Sequence, residues 1–274
     1  MTVQAHAKVN LVLRVLARRA DGFHDIETLM VPISLADELD VSIFPGTGIE
    51  VQCDDPDVPT DAGNLVWRAA EVFARQTGLT FRTKIELRKR IPHGAGLAGG
   101  SSDAAAVLRA LDALHHTELG HETLERLAAE IGSDIPFFIR SQPSWCRGRG
   151  EILEGANPLP RLQLLLLKPA FPVSTAWAYK HRTSNVPRLP QAVGKLELVN
   201  DLEPAVFGKY LLLPTMKTWL LEQHDVRAAM MSGSGSTIFA VLRDGSNGLD
   251  TRAKARFGES LWTCECQTQG ATRS

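Results

Sequence analysis

The chain has 274 residues, a formal net charge of −1 at pH 7, and 44% hydrophobic against 22% charged side chains. That balance belongs to a globular protein with enough length for one large or two ordinary domains, and excludes a disordered or fibrous chain. Near-neutral charge supplies no general pull toward nucleic acid or anionic membrane, and apolar runs such as residues 164–167 are far too short to span a bilayer.

The first ten residues lack the basic and apolar regions of a signal peptide. Cys53, Cys146, Cys264 and Cys266 have neither zinc spacing nor a C-x-x-C motif, which points to reduced thiols and a cytoplasmic location. Residues 5–15, A-H-A-K-V-N-L-V-L-R-V, read as a strand. Lys8 inside it must either reach solvent or meet an anion. Arg18-Arg19-Ala20-Asp21-Gly22 is a turn, with Phe23 and His24 at its exit and a returning strand over residues 26–33. Residues 37–44 and 49–53 read as two further strands, and Asp54-Asp55-Pro56-Asp57 as a solvated acidic loop. Asn64 caps a helix that Gly78 stops, and residues 83–87 form the next strand.

That strand leads into Ile91-Pro92-His93-Gly94-Ala95-Gly96-Leu97-Ala98-Gly99-Gly100-Ser101-Ser102-Asp103, followed by a helical pattern over residues 104–115. Glycines let a ligand approach the main chain, and Ser101, Ser102 and Asp103 are N-cap types, so a helix start is predicted there. A glycine-rich loop feeding a helix N-terminus favours phosphate, because free N–H groups and the positive dipole end face the anion. The loop carries no Gly-Lys-Ser/Thr ending, lies away from a strand end, and is followed by no acidic partner or kinase catalytic motifs. The Walker, Rossmann and protein-kinase versions are thereby excluded.

Residues 122–130 form an amphipathic helix ended by Gly132, before Ser133-Asp134-Ile135-Pro136-Phe137-Phe138-Ile139. Asp134, at the edge of so apolar a run, either caps a turn or does chemistry. Arg147-Gly148-Arg149-Gly150-Glu151 reads as a mobile basic loop. A boundary falls near Asn157-Pro158-Leu159-Pro160. Beyond it come a buried strand at 162–168, a short helix at 174–179, a polar connection at 183–192, and a helix start at Asn200-Asp201-Leu202-Glu203. A helix at 214–223, a small-residue loop at 231–236, a strand at 237–242, a helix at 249–257 and a strand at 261–267 complete the chain. The mixture predicts two α+β domains.

Three separated stretches, Ala7-Lys8-Val9-Asn10-Leu11, residues 92–104, and Gly233-Ser234-Gly235-Ser236, resemble the three motifs of the GHMP small-molecule kinases. The Ala20-Asp21-Gly22-Phe23-His24 turn, the Gly132-to-Phe138 segment, Gly148-to-Leu153 and Asn200-to-Glu203 are similar to those of its cytidyl-substrate members. The resemblance implies a two-domain GHMP kinase fold of class α+β. A ribosomal-protein-S5-domain-2-like N-terminal domain (1–157) would bind ATP, a ferredoxin-like α/β domain (158–274) would follow, and the active site would lie in the cleft between them.

By the same resemblance, Pro92, His93, Gly94, Ala95, Gly96, Leu97, Ala98, Gly99, Gly100, Ser101 and Ser102 would cradle the phosphates of ATP. Mg²⁺ would sit near Ser101 or Ser102, with no dedicated protein metal site. Asp134 would be the general base, and Lys8 beside it would keep it ionised and steady the transferred group. Cytosine would stack between Phe23 and Tyr179, with polar contacts from His24 and Asn10. The implied reaction is phosphorylation of the 2-hydroxyl of a cytidine-diphosphate-linked methylerythritol, in the non-mevalonate isoprenoid route. The enzyme would be a monomer or homodimer with no nucleic-acid or membrane partner. Another GHMP kinase substrate, a decarboxylase of this fold, and a non-catalytic nucleotide-binding regulator stay open. Of the departures from the family pattern, Ala98 in place of glycine is tolerable if its φ is negative.

Overall fold

A computed structural model describes residues 1–182 and 191–270. Their strands and helices fall into two compact units, each built from separate pieces of chain: Met1–Ala7, Leu35–Pro92 and Ala98–Gln142 in the first, Lys8–Ser34, His93–Leu97 and Pro143–Ser274 in the second. Two long strands, β1 (Thr2–Arg18) and β2 (His24–Phe44), contribute residues to both. Residues 26–33 and 37–44, predicted as separate strands, are one, because Ser34, Leu35 and Ala36 stay extended between them.

In the first unit, β3 (Gly48–Cys53) runs parallel to β4 (Arg82–Arg88) through the crossover helix α1 (Leu65–Thr77). β4 pairs antiparallel with the end of β2, Glu38 opposite Arg88 and Phe44 opposite Arg82. The boundaries of α1 follow the sequence signals: Asn64 Oδ1 accepts from Val66 N at 3.0 Å, and Gly78 closes the helix at φ 68°. Such a cap contributes about 1 kcal/mol.

Helix α2 (Gly99–His115) begins five residues before the predicted 104–115. The expected cap residues lie within its first turns, where tertiary partners engage two of the three. Ser102 Oγ donates to His6 O at 2.7 Å, and Asp103 pairs with Lys89 at 2.6 Å. The N-cap position falls instead to Ala98. Buried Ala104, Ala105 and Ala106 allow close approach of α1 and of α4 (Ile135–Arg140), while α3 (Gly120–Ile131) covers a further side. The Arg109 guanidinium on α2 donates to Phe138 O at 2.8 Å, fastening α4 by its carbonyl end.

In the second unit a four-stranded antiparallel sheet runs in the order β10 (Val226–Met231), β11 (Ile238–Leu242), β7 (Gln163–Lys168), β12 (Trp262–Gln267). Helices α5 (Thr175–Lys180), α6 (Glu203–Lys209), α7 (Leu212–Leu221) and α8 (Leu249–Phe257) supply a core with Leu165, Leu167, Met216 and Ile238, joined by Leu13, Val15 and Ile26 from the long strands. β9 (Leu196–Asn200) lies parallel to β1, Val199 opposite Val12, and antiparallel to β8 (Gln191–Val193). The predicted polar connection lies outside the described residues over 183–190, and its last two residues belong to β8.

β5 (Ser144–Gly148) pairs with the start of β2 and with β6 (Ile152–Gly155). The basic stretch at 147–151, predicted as a mobile loop, is therefore a strand end and turn, with Arg147 held by Glu154 at 2.6 Å. Among the described residues no helix is long and apolar enough to cross a membrane.

Candidate active site

Lys8 is buried in β1, and its ammonium donates to Asn10 Oδ1 at 2.7 Å and to Gly96 O at 2.9 Å. Asn10 Nδ2 donates in turn to Thr28 Oγ1 (2.7 Å), whose hydroxyl donates to Val12 O (2.6 Å). Both ends of the Asn10 amide are thus engaged, and its oxygen helps to hold the Lys8 ammonium. Thr28 carries no motif in the sequence and is found only because β2 lays it against β1.

The loop His93–Leu97 is seated on the small-residue turn at 231–236, within the same unit. Thr237 N donates to Ala95 O at 3.2 Å, and Ser232 Oγ donates to Gly96 O at 3.0 Å, sharing that carbonyl with Lys8. Gly96 has φ 75°, and a Cβ there would lie 2.2 Å from Ser232 O, so no other residue fits. A Cβ on Gly233 would come within 3.3 Å of Lys8 Nζ.

The turn has its own supports. Asn200 Nδ2 donates to Met231 O (2.7 Å) and Gly233 O (2.8 Å), and Glu203 Oε1 accepts from Met231 N at 2.9 Å. In the sequence, Asn200 to Glu203 read as a helix start and as a stretch resembling the family, with no partner for either side chain. Their clamp on a turn some thirty residues onward is a long-range feature that only the fold supplies.

Ala98 and the helix it opens belong to the first unit. Ala98 takes the left-handed conformation, φ 57° and ψ 35°, contrary to the negative φ under which its methyl was expected to be tolerated. The loop needs that bend to enter α2, and Ala98 bears the cost. The first bond of the helical ladder runs from Ser102 N to Ala98 O (3.0 Å), so the N–H groups of Gly99, Gly100 and Ser101 precede it, and Ala98 has no side-chain oxygen to accept from them. An uncapped N-terminus on a seventeen-residue helix, preceded by glycines, fits a polyphosphate. Of the two serines, buried Ser102 spends its hydroxyl on His6 O, while Ser101 Oγ makes no hydrogen bond among the described residues. Ser101 therefore keeps a hydroxyl without a partner among the described residues.

Asp134 directly precedes α4 in the first unit, at φ −85° and ψ −13°, and makes no side-chain cap bond. Pro136 in that first turn has no N–H for a capping carboxylate. The turn-capping alternative therefore fails.

Phe23, His24 and Tyr179 all belong to the second unit. The ring laid against Tyr179 is that of His24, with centroids 5.9 Å apart and planes 28° from parallel. Phe23 is 52% exposed and carries the Arg149 guanidinium 5.3 Å from its ring centre. Burial, then Arg182 and Arg18, push the His24 imidazole below its ordinary value, which keeps it neutral at physiological pH. A neutral imidazole both donates and accepts, as recognition of a base edge requires.

Comparison with known proteins accords with this geometry. Residues 64–142 match the GHMP kinases N terminal domain, and residues 186–256 the GHMP kinases C terminal domain. The 4-diphosphocytidyl-2-C-methyl-D-erythritol kinase of Methylacidiphilum infernorum (isolate V4) is 44% identical over 94% of this chain and 93% of its own length. The chain belongs to the GHMP kinase family. The enzyme of the same name from Geobacter sp. (strain M21) is 38% identical over 88% of this chain and 89% of its own. The crystal structure of a 4-(cytidine 5'-diphospho)-2C-methyl-D-erythritol kinase superposes with a TM-score of 0.81 at 35% identity, covering 98% of this chain and all of the other. This GHMP kinase has the two-domain, mixed α/β fold of its relatives and is an ATP-using kinase of a small molecule.

Proposed function

We propose that this GHMP kinase transfers the terminal phosphoryl group of ATP to the 2-hydroxyl of 4-diphosphocytidyl-2-C-methyl-D-erythritol, giving the 2-phosphate and ADP, in the methylerythritol phosphate route to isoprenoids. The observation that carries the phosphoryl-transfer reading is the uncapped N-terminus of α2, with three N–H groups ahead of the helical ladder and no side-chain acceptor. The choice of substrate is supported by relatives named for it at up to 44% identity over most of the chain.

Phosphoryl transfer is mostly a matter of positioning and charge stabilisation. The stretch from Pro92 to Ser102 holds the phosphates. Asp134 accepts the proton of the attacking hydroxyl as its oxygen bonds to phosphorus, and a carboxylate not committed to capping is free to do so. Lys8, held by Asn10 and the Gly96 carbonyl, offsets negative charge on the transferred group. Ser101 is the hydroxyl that would hold Mg²⁺, which would supply neutralisation of phosphate charge when bound. His24 and Tyr179 form one wall for the cytosine, and Phe23 presents an exposed ring at the turn before it. The division of the chain at 157/158 into an N-terminal and a C-terminal segment is compatible with family matches at 64–142 and 186–256. The enzyme works in the cytoplasm as a monomer or homodimer.

The test is a coupled ADP-release assay across a panel holding the cytidyl-methylerythritol diphosphate, homoserine and mevalonate. Turnover is expected on the cytidyl compound alone. Turnover on either of the others without it would overturn the substrate assignment, and release of CO₂ would point to a decarboxylase.

A further inference from the structure

A buried ion cluster in the first unit has no part in the reaction as assigned. Lys89 Nζ donates to Asp103 Oδ2 at 2.6 Å and to Asp37 Oδ2, and all three side chains are nearly inaccessible to water. Two carboxylates share one ammonium, and Asp103 Oδ1 is buried without a hydrogen-bond partner. Burying charges costs more than an apolar replacement of similar volume, and a surplus carboxylate adds to that cost. Stability alone does not account for such an arrangement.

Its connections are to the two ends of the glycine stretch. Asp37 Oδ1 accepts from Arg90 N (2.5 Å) and Ile91 N (2.8 Å), fixing the backbone just before Pro92. At the other end, a Cβ on Gly99 would lie 2.9 Å from Ile91 Cγ2 and 3.3 Å from Asp37 Oδ2, so α2 starts directly on that segment. Asp103 is one turn further along α2. Lys89 thus joins the residues that lead into the loop to the helix that leads out of it.

We propose that Lys89, Asp37 and Asp103 form a positioning cluster that sets the pose of the α2 N-terminus and thereby the affinity for ATP. This rests on the assignment of the ATP phosphates to that loop. They act through the backbone at 90–91 and 99. The surplus carboxylate makes the effect depend on pH. Burial pushes Asp103 up, Lys89 opposes this and Asp37 adds to it, leaving its pKa at about 7. Lys89 itself is pulled down by burial but raised overall by Asp103 and Asp37.

The charged groups facing Asp103 are Lys89, after β4, and Asp37, on β2. At the end of β3, Cys53 and Asp54 flank Lys89, and Asp54 Oδ1 accepts from Lys89 N at 2.8 Å. Among the described residues, no hydrogen bond or ion pair brings a charged side chain of α1, α3 or α4 to any of the three. With Asp103 protonated the cluster is neutral; ionised, it carries one net negative charge behind an anion site. ATP therefore binds more tightly below the Asp103 pKa than above it.

The test measures KM for ATP, kcat, and binding of a non-hydrolysable ATP analogue between about pH 6 and about pH 8. In the unaltered enzyme KM for ATP should rise with pH. In Asp103→Asn, which keeps the shape and balances the cluster, that rise should shrink by about 3–10-fold while kcat stays within about twofold. Thermal stability gives an independent check. The folded carboxyl holds its proton to about pH 7, against 3.8 for an unperturbed one, so the unaltered protein loses stability as pH rises through that window, and Asp103→Asn does not. Lys89→Met should weaken analogue binding; because it leaves two buried carboxylates, it is interpreted only if it unfolds cooperatively. An Asp103→Asn enzyme with the unaltered pH dependence of KM for ATP would overturn the cluster's role. Failure of the unaltered protein to bind the analogue would remove the loop assignment, and this inference with it.

Discussion

Asp134 shows how a single residue acquires a chemical role through what its neighbours withhold. An aspartate just ahead of a helix ordinarily gives a carboxylate oxygen to the first-turn N–H groups. Here Pro136 removes one of those donors, and no cap bond forms. Asp134→Asn keeps size and polarity but not basicity. The proposed role predicts that kcat falls by about 10²–10⁴ in the ADP-release assay with little change in melting temperature. A near-normal kcat would place the base elsewhere. Lys8 illustrates the converse. A lysine in a strand that reads as buried has two readings from sequence, and its bonds to Asn10 and Gly96 O make it an inward, fixed cation.

Elements here begin and end where local and long-range demands are reconciled. For α1 the two agree, and Asn64 and Gly78 mark its ends in both sequence and structure. For α2 they do not. The serines and Asp103 look like caps, but Ser102 and Asp103 meet partners across the fold, and the helix extends back to Gly99 and leaves Ala98 at φ 57°. A left-handed alanine costs about 1–2 kcal/mol relative to its preferred conformation. Ala98→Gly should relieve much of that and raise stability by up to about 1 kcal/mol after the added unfolded-state freedom is counted, as read by urea unfolding. A loss of stability would mean that the methyl packs usefully. The turn at 231–236 follows the same logic: its small residues permit the bend, but Asn200 and Glu203 hold it.

At the scale of the molecule, the compact units do not follow the order of the chain. The second unit takes Lys8–Ser34 and His93–Leu97 as well as everything from Pro143. Its core includes Leu13, Val15 and Ile26, and β9 pairs with β1. A fragment of residues 158–274 would lack all of these. It is predicted not to unfold as a cooperative unit, and its amide NMR spectrum to show poor dispersion. A sharp thermal transition in that fragment would show that the long strands are dispensable.

Much of the function was legible in the sequence because its signals are local. Glycine spacing, the helix that follows it, a lysine within a strand and an aspartate beside an apolar run each depend on a few neighbouring residues, and together in that order they carry the family. What only the tertiary structure decided depends on residues far apart in the chain: the start of α2, the union of two expected strands into β2, the hairpin at 144–155, the Asn200 clamp, and the pairing of His24 with Tyr179. The Lys89 cluster is the extreme case. Asp37, Lys89 and Asp103 have no sequence relation, and burial, a cost that exists only once the chain is folded, is what turns three ordinary charges into a device acting on the loop.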